Sequence, residues 1–217
     1  MKKYQAWIGI VAVVLSTLTI VIMAALRSDY NHAYKAISEL GSVDAPNKSI
    51  FNILGYFIPG VLITFFAYGL KNEVRGVPDL KTYPFYFFML SGILLSLAGI
   101  FPGDLVHKTS LTTTMHLTGS FGSGLSWLVC AFTLWWQLKK SAEWKVVAWI
   151  TFIIPIFTII LIGITPKNTP GIAQRIGFAG YYLFILVLAI KQWRIQAREG
   201  NLRSVVAINE GLRQPHE

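Results

Sequence analysis

Glu39, Asp104, His107, His116 and Arg175 stand where long apolar runs of this 217-residue sequence break off, accompanied by Ser38 and Ser120. These residue types can do chemistry together. A carboxylate beside an imidazole can move a proton, and a serine next to that base can become a nucleophile. Asp104, His107 and His116 offer the oxygen and nitrogen donors that zinc accepts, and zinc could polarise a carbonyl or activate water. The Arg175 guanidinium can clamp a carboxylate such as Asp104 or Glu39, or hold a phosphate in a bidentate fork. Glu39, Asp104, His116, Arg175 and Ser120 are therefore the expected ligand-binding set. Were the site catalytic, His116, Asp104, Glu39 and Ser38 would carry it, with His116 as base and Ser38 as nucleophile.

The elements that must position these residues are read from the apolar runs. The sequence is 54% hydrophobic and only 13% charged, and its apolar residues form blocks at 5–26, 50–70, 83–101, 115–138, 146–164 and 176–193. Each is about 20 residues long, enough for a helix to cross roughly 30 Å of hydrocarbon. None alternates apolar and polar residues as a barrel strand must. The expectation is an all-α polytopic membrane protein, with six transmembrane helices in one bundle over residues 1–195 and a cytoplasmic tail at 196–217. Leu202, Val205, Val206 and Leu212 are spaced for a short interfacial helix in that tail, with Arg198, Arg203 and Arg213 on other faces. The first block has the basic start and small-residue end of a secretory signal, but its apolar core is too long, and it reads as a retained span. Pro59 and Pro155 fall inside spans and read as packing kinks.

Lysine and arginine give the orientation. Of the 19, the N-terminus, second loop, fourth loop and tail carry 13, including Lys2, Lys3, Arg75, Lys139 and Lys140, and the odd loops carry six. Positive charge stays on the cytoplasmic side during insertion, so both termini are expected inside and the polar clusters outside. Trp7, Trp135, Trp136, Trp144, Trp149 and Trp193 fall near the same inner interface, and Trp127 lies deep. The net charge of +9 thus reads as topology plus attraction to anionic lipid headgroups, with no nucleic-acid motif. Cys130 is the one cysteine, so no intrachain disulfide or thiolate cluster forms.

The polar clusters have local logic. The loop from Arg27 to Ser49 is the longest connection, and Ser38-Glu39-Leu40-Gly41 within it looks like a helical turn ended by glycine. Pro102 and Gly103 stop the third helix just before Asp104. His116, Ser120 and Ser123 share one face of the fourth helix, while Gly119, Gly122 and Gly124 are the small residues that let membrane helices pack closely.

The order Ile37-Ser38-Glu39-Leu40-Gly41, Phe101-Pro102-Gly103-Asp104, His116 and Gln174-Arg175-Ile176 resembles the prokaryotic six-span proteins grouped as domain of unknown function 998. The resemblance implies a six-span fold in a prokaryotic cell membrane and the residue set above; it implies no activity. His32 stands near where that family would have proline, so it is set aside as a metal ligand. The donor set is also similar in outline to the seven-span ceramidase and receptor superfamily, with one span fewer and two well-placed histidines in place of three.

Three readings follow. In the favoured one the polar set caps an intramembrane cavity that binds or transports a lipid or small ligand. In the second it is a lipid hydrolase or transferase, with or without zinc. In the third it is an ion-paired lock in a structural or accessory membrane protein. Oligomeric state is left open. For the orientation, alkaline phosphatase fused after Lys108 should be active and fused after Lys140 inactive; the opposite pattern would reverse the topology.

Overall fold

A computed structural model describes residues 4–74, 77 and 79–211; of residues 199 and 201–211 it describes the backbone alone. Lys2, Lys3, Arg75, Arg213, and the side chains of Leu202, Arg203, Val205, Val206 and Leu212 lie outside that description. The described residues contain six helices long and apolar enough to cross a membrane, and no strand. They are α1 (Gln5–Ala25), α2 (Lys48–Glu73), α3 (Tyr83–Ile100), α4 (Leu111–Leu138), α5 (Lys145–Ile164) and α6 (Pro170–Gly211). Each packs against its chain neighbours, and α6 closes the ring on α1.

Helix ends depart from the apolar blocks where capping chemistry takes over. α4 begins at Leu111, because the Ser110 hydroxyl accepts from the Thr113 amide at 3.3 Å and so satisfies one of the open donors of the first turn. α6 starts at Pro170, a residue pre-set for a first helical turn, and continues without interruption to Gly211.

Proline shapes α2. Pro59 has no N–H to donate to the Gly55 carbonyl one turn earlier. The preceding turn, Asn52–Phe57, is wound as a π-helix, and the Ser16 hydroxyl of α1 donates to the Gly55 oxygen at 2.7 Å. The missing bond is thus made good from a neighbouring helix, as a water-free interior demands. Ser16 also bonds the Tyr182 hydroxyl of α6, and Ser91 of α3 bonds that of Tyr181. Two adjacent tyrosines thereby tie α6 across the ring. Deeper in, Phe88 stands edge-on to both Phe66 and Phe184, with centroids 5.9 and 5.5 Å away. Where α2 meets α3, Gly60 and Gly92 bring the backbones so close that a side chain on either would strike the opposite helix.

The two ends of the bundle differ. The first, third and fifth connections fold together at one end, called here the cap end. At the other, Lys139 lies over the rings of Trp135 and Trp136, 4.1 and 3.7 Å from their centroids, and Lys71 sits 5.4 Å from those of Tyr68 and Tyr86. Trp144, at the start of α5, is folded inward by the turn from Ser141 and fully buried, with Lys191 Nζ 5.3 Å from its ring centroid. Trp7, Trp136, Trp149 and Trp193 are exposed on the bundle surface, and Trp127 is buried.

Ser16→Ala should lower stability by about 1 kcal/mol, and the loss should shrink in a Pro59→Ala background, where the helix can bond Gly55 itself. A thermal-melt double-mutant cycle with no coupling would contradict the repair.

Candidate functional site: the cap

The first connection is an ordered plug. Ile37 and Leu40 are buried, on a 3₁₀ turn spanning Ile37–Gly41. Glu39 folds back so that its Oε1 accepts from the Ala36 amide at 2.8 Å, while its carbonyl accepts from Arg27 Nη1 at 3.1 Å. The ion pairs of this loop centre on Asp29, with Arg27 Nη2 at 2.8 Å and Lys35 Nζ at 2.6 Å; those hydrogen bonds hold its carboxyl well below the usual range. Asn52 at the start of α2 donates to the Gly41 carbonyl at 2.8 Å, and the Val43 amide donates to the Gly103 carbonyl at 2.9 Å. The plug is therefore fastened to both the second span and the third connection.

Arg175 fastens it to the fifth. Its Nη1 donates to the carbonyls of His32 (2.7 Å), Gly171 (2.9 Å) and Lys35 (3.3 Å), and its Nη2 to the Tyr30 hydroxyl (3.0 Å) and His32 Nδ1 (2.9 Å). The guanidinium carbon lies 5.5 Å from the Tyr30 ring centroid. Tyr30 passes the connection on, donating to the Ala36 carbonyl at 2.8 Å; burial pushes its phenol pKa up, against the opposing pull of Arg175. Beside Arg175, Gly171 lets the α6 backbone come so close to the His32, Ala33 and Lys35 carbonyls that a methyl group would collide with them. Gln174 accepts from the Ser38 amide at 3.2 Å.

Asp104 organises the third connection. Its Oδ1 accepts from the amides of His107 (2.8 Å) and Val106 (2.9 Å), and its Oδ2 lies 3.1 Å from His107 Nδ1. The His107 amide chiefly, with help from that of Val106, holds this carboxyl below its ordinary value. The Asp104 amide donates to Thr113 Oγ1 at 2.8 Å, anchoring the turn to α4.

His116 is buried, and its Nδ1 lies 2.9 Å from the Ala98 carbonyl and 3.0 Å from that of Phe101. Pro102 cannot donate to Ala98, so His116 caps α3 from the next helix. Its Nε2 is 3.5 Å from Ser120 Oγ. Tyr56, on the π turn, has its ring 6.0 Å from the imidazole and a buried hydroxyl without a partner.

The expected set thus shares one end of the molecule but does not converge. Among the described residues no ion pair joins Arg175 to Asp104 or Glu39, which corrects the ion-paired lock: each carboxylate is taken by nearby backbone amides, and the guanidinium by carbonyls. Nor do three His, Cys, Asp or Glu side chains come together among them, so Asp104, His107 and His116 do not form the zinc set, the imidazole of His116 facing the end of α3 instead. Ser38 meets Gln174 through its amide, away from His116. Sequence reasoning missed Tyr30, Asn52 and Tyr56; an asparagine and a tyrosine one turn apart in an apolar block were the available signal.

Beneath the cap a furrow follows the α2–α3 seam. It consists of two neighbouring depressions: one beneath the cap, about 450 Å³, is lined by Lys48, Asn52, Phe57 and Pro102 among others. The other, about 310 Å³ and almost wholly apolar, lies against Val61, Phe65, Ile93 and Leu97, and Ile100 lines both. Lys48 spends one ammonium donor on the Val43 carbonyl. One buried Asn52 oxygen has no partner.

Six apolar helices with a folded cap at one end define a multi-pass membrane protein. The chain belongs to the family described as "Protein of unknown function (DUF998)", which it matches over residues 10–191. No curated protein and no solved structure matches it.

Arg175→Ala should expose the plug, so that trypsin cuts at Lys35 at least about tenfold faster, with Arg175→Lys in between because an ammonium cannot reproduce the fork. Equal cleavage rates would remove Arg175 from this role.

Proposed function

We propose that the protein binds a membrane lipid, holding one acyl chain in the α2–α3 furrow and the lipid's polar head at Lys48 and Ser49. The observation that carries this reading is the pair of neighbouring depressions on the α2–α3 seam, a cationic one at Lys48 beneath the cap and an apolar one, which share Ile100. Hydrocarbon lining favours an alkyl chain, and the two free donors of the Lys48 ammonium favour an anionic head. Its volume falls in the range of about 300–1,000 Å³ typical of small-ligand sites. The cap residues serve this function by fixing the mouth: Val43, which takes the Lys48 ammonium, is pinned to Gly103, and Asn52 to Gly41. With the lysine and aromatic belt at the opposite end on the cytoplasmic side, the mouth lies in the outer leaflet of the cell membrane.

Native mass spectrometry of protein incubated with phosphatidylglycerol or phosphatidylcholine tests the proposal. Wild type should retain one lipid with preference for the anionic one. Ile93→Trp, which fills the slot from an exposed position, should reduce retention about tenfold, and Lys48→Gln should abolish the headgroup preference. Retention unchanged by Ile93→Trp would refute the furrow as the site.

A further inference from the structure

The polar face of α4 is only partly accounted for by packing. Ser123 is buried within the bundle, and His116 Nδ1 caps α3. What remains is the other imidazole nitrogen and the hydroxyl in front of it, Ser120 Oγ.

The two carbonyls fix the tautomer. Both are acceptors only, so Nδ1 carries a hydrogen, and the neutral ring then has its lone pair on Nε2, 3.5 Å from Ser120 Oγ. This is the arrangement of an activated serine: nucleophile, base, and a third group orienting the base from behind, here backbone carbonyls in place of a carboxylate. The 3.5 Å separation lies at the loose end of hydrogen-bond reach, as such pairs commonly are without substrate. The one-turn spacing on a single helix lets the serine close it by side-chain rotation.

The surroundings give access from hydrocarbon. Ser120 is half-buried, and its neighbours Leu117 and Phe121 are exposed on the lipid-facing side. One turn deeper, nothing lies within 4 Å of the Cβ that Gly124 lacks. Tyr56 places an unspent buried donor hydroxyl on a ring beside the imidazole.

We propose that Ser120 and His116 form an intramembrane nucleophile–base pair that accepts the acyl group of a membrane-lipid ester. Ser120 Oγ attacks the ester carbonyl carbon while its proton passes to His116 Nε2. The bond to the leaving oxygen breaks, that oxygen takes the proton from Nε2, and the acyl group stays on Ser120 as an ester. Water then attacks the acyl carbon by the same base, releasing a fatty acid and restoring the serine. This site is separate from the α2–α3 furrow, so either can fail without the other.

The test has two arms in protein reconstituted in lipid. A fluorophosphonate with an alkyl tail should form one adduct per chain, mapped to Ser120 and absent from Ser120→Ala. The second arm reads base activation directly in a Cys130→Ala background. The Ser120→Cys thiol should react with a small membrane-permeant alkylating agent about 100-fold faster than the Thr118→Cys thiol, and His116→Gln should erase that advantage. If the Ser120→Cys and Thr118→Cys thiols react at equal rates, or if the adduct maps elsewhere, the pair is a packing contact and the proposal falls.

Discussion

A backbone carbonyl facing hydrocarbon has no water to turn to, and an unpaired one costs several kcal/mol. Two prolines of this chain open carbonyls buried inside the bundle, equally out of reach of water. Pro59 leaves that of Gly55 and Pro102 that of Ala98, and each is filled by a side chain from a neighbouring helix: Ser16 from α1 in the first case, His116 from α4 in the second. Those two bonds fix where α1 sits on α2 and where α4 meets the end of α3. Because Ser16 also holds Tyr182, the placement of α6 depends on the first of them.

The cap extends the same constraint to the loops. Its fifth segment holds the first through a guanidinium that gathers carbonyls, and its third holds the first through a backbone bond from Val43 to Gly103. Away from Asp29 and its ion pairs with Arg27 and Lys35, charge pairing is secondary because Glu39 and Asp104 find closer partners. Glu39 reaches an amide three residues back, and Asp104 amides two and three residues ahead. Bonds that close such short loops cost little chain entropy, whereas a long-range ion pair must desolvate two charges first. The polar residues are therefore spent on shape, and the shape leaves a furrow on one seam and an oriented imidazole on another.

These two features follow from how the helices approach. Gly60 and Gly92 press α2 and α3 together midway, and above them the π turn carries Asn52 and Tyr56 toward the cap. A π turn inside an α-helix often marks a functional site. Here it contributes Asn52 to the furrow's mouth and Tyr56 to the environment of His116.

The sequence by itself determined the number of spans, the shared end of the polar clusters and the family, because apolar blocks of membrane-crossing length allow hardly any structure but helices in a bilayer. It also placed helix stops at Pro102 and Gly103 and made Ser38-Glu39-Leu40-Gly41 a turn, since those depend on neighbouring residues alone. Only the tertiary structure decided the partners. In the sequence Arg175 reads first as a clamp on Asp104 or Glu39, with a lipid phosphate as an alternative; that it holds the His32 and Lys35 carbonyls and the Tyr30 hydroxyl depends on where α6 meets a loop about 140 residues away in sequence. His116 reads as a ligand until the end of α3 is set against it. Side-chain type limits which bonds are available, but which of them forms is settled by the distance that helix packing imposes.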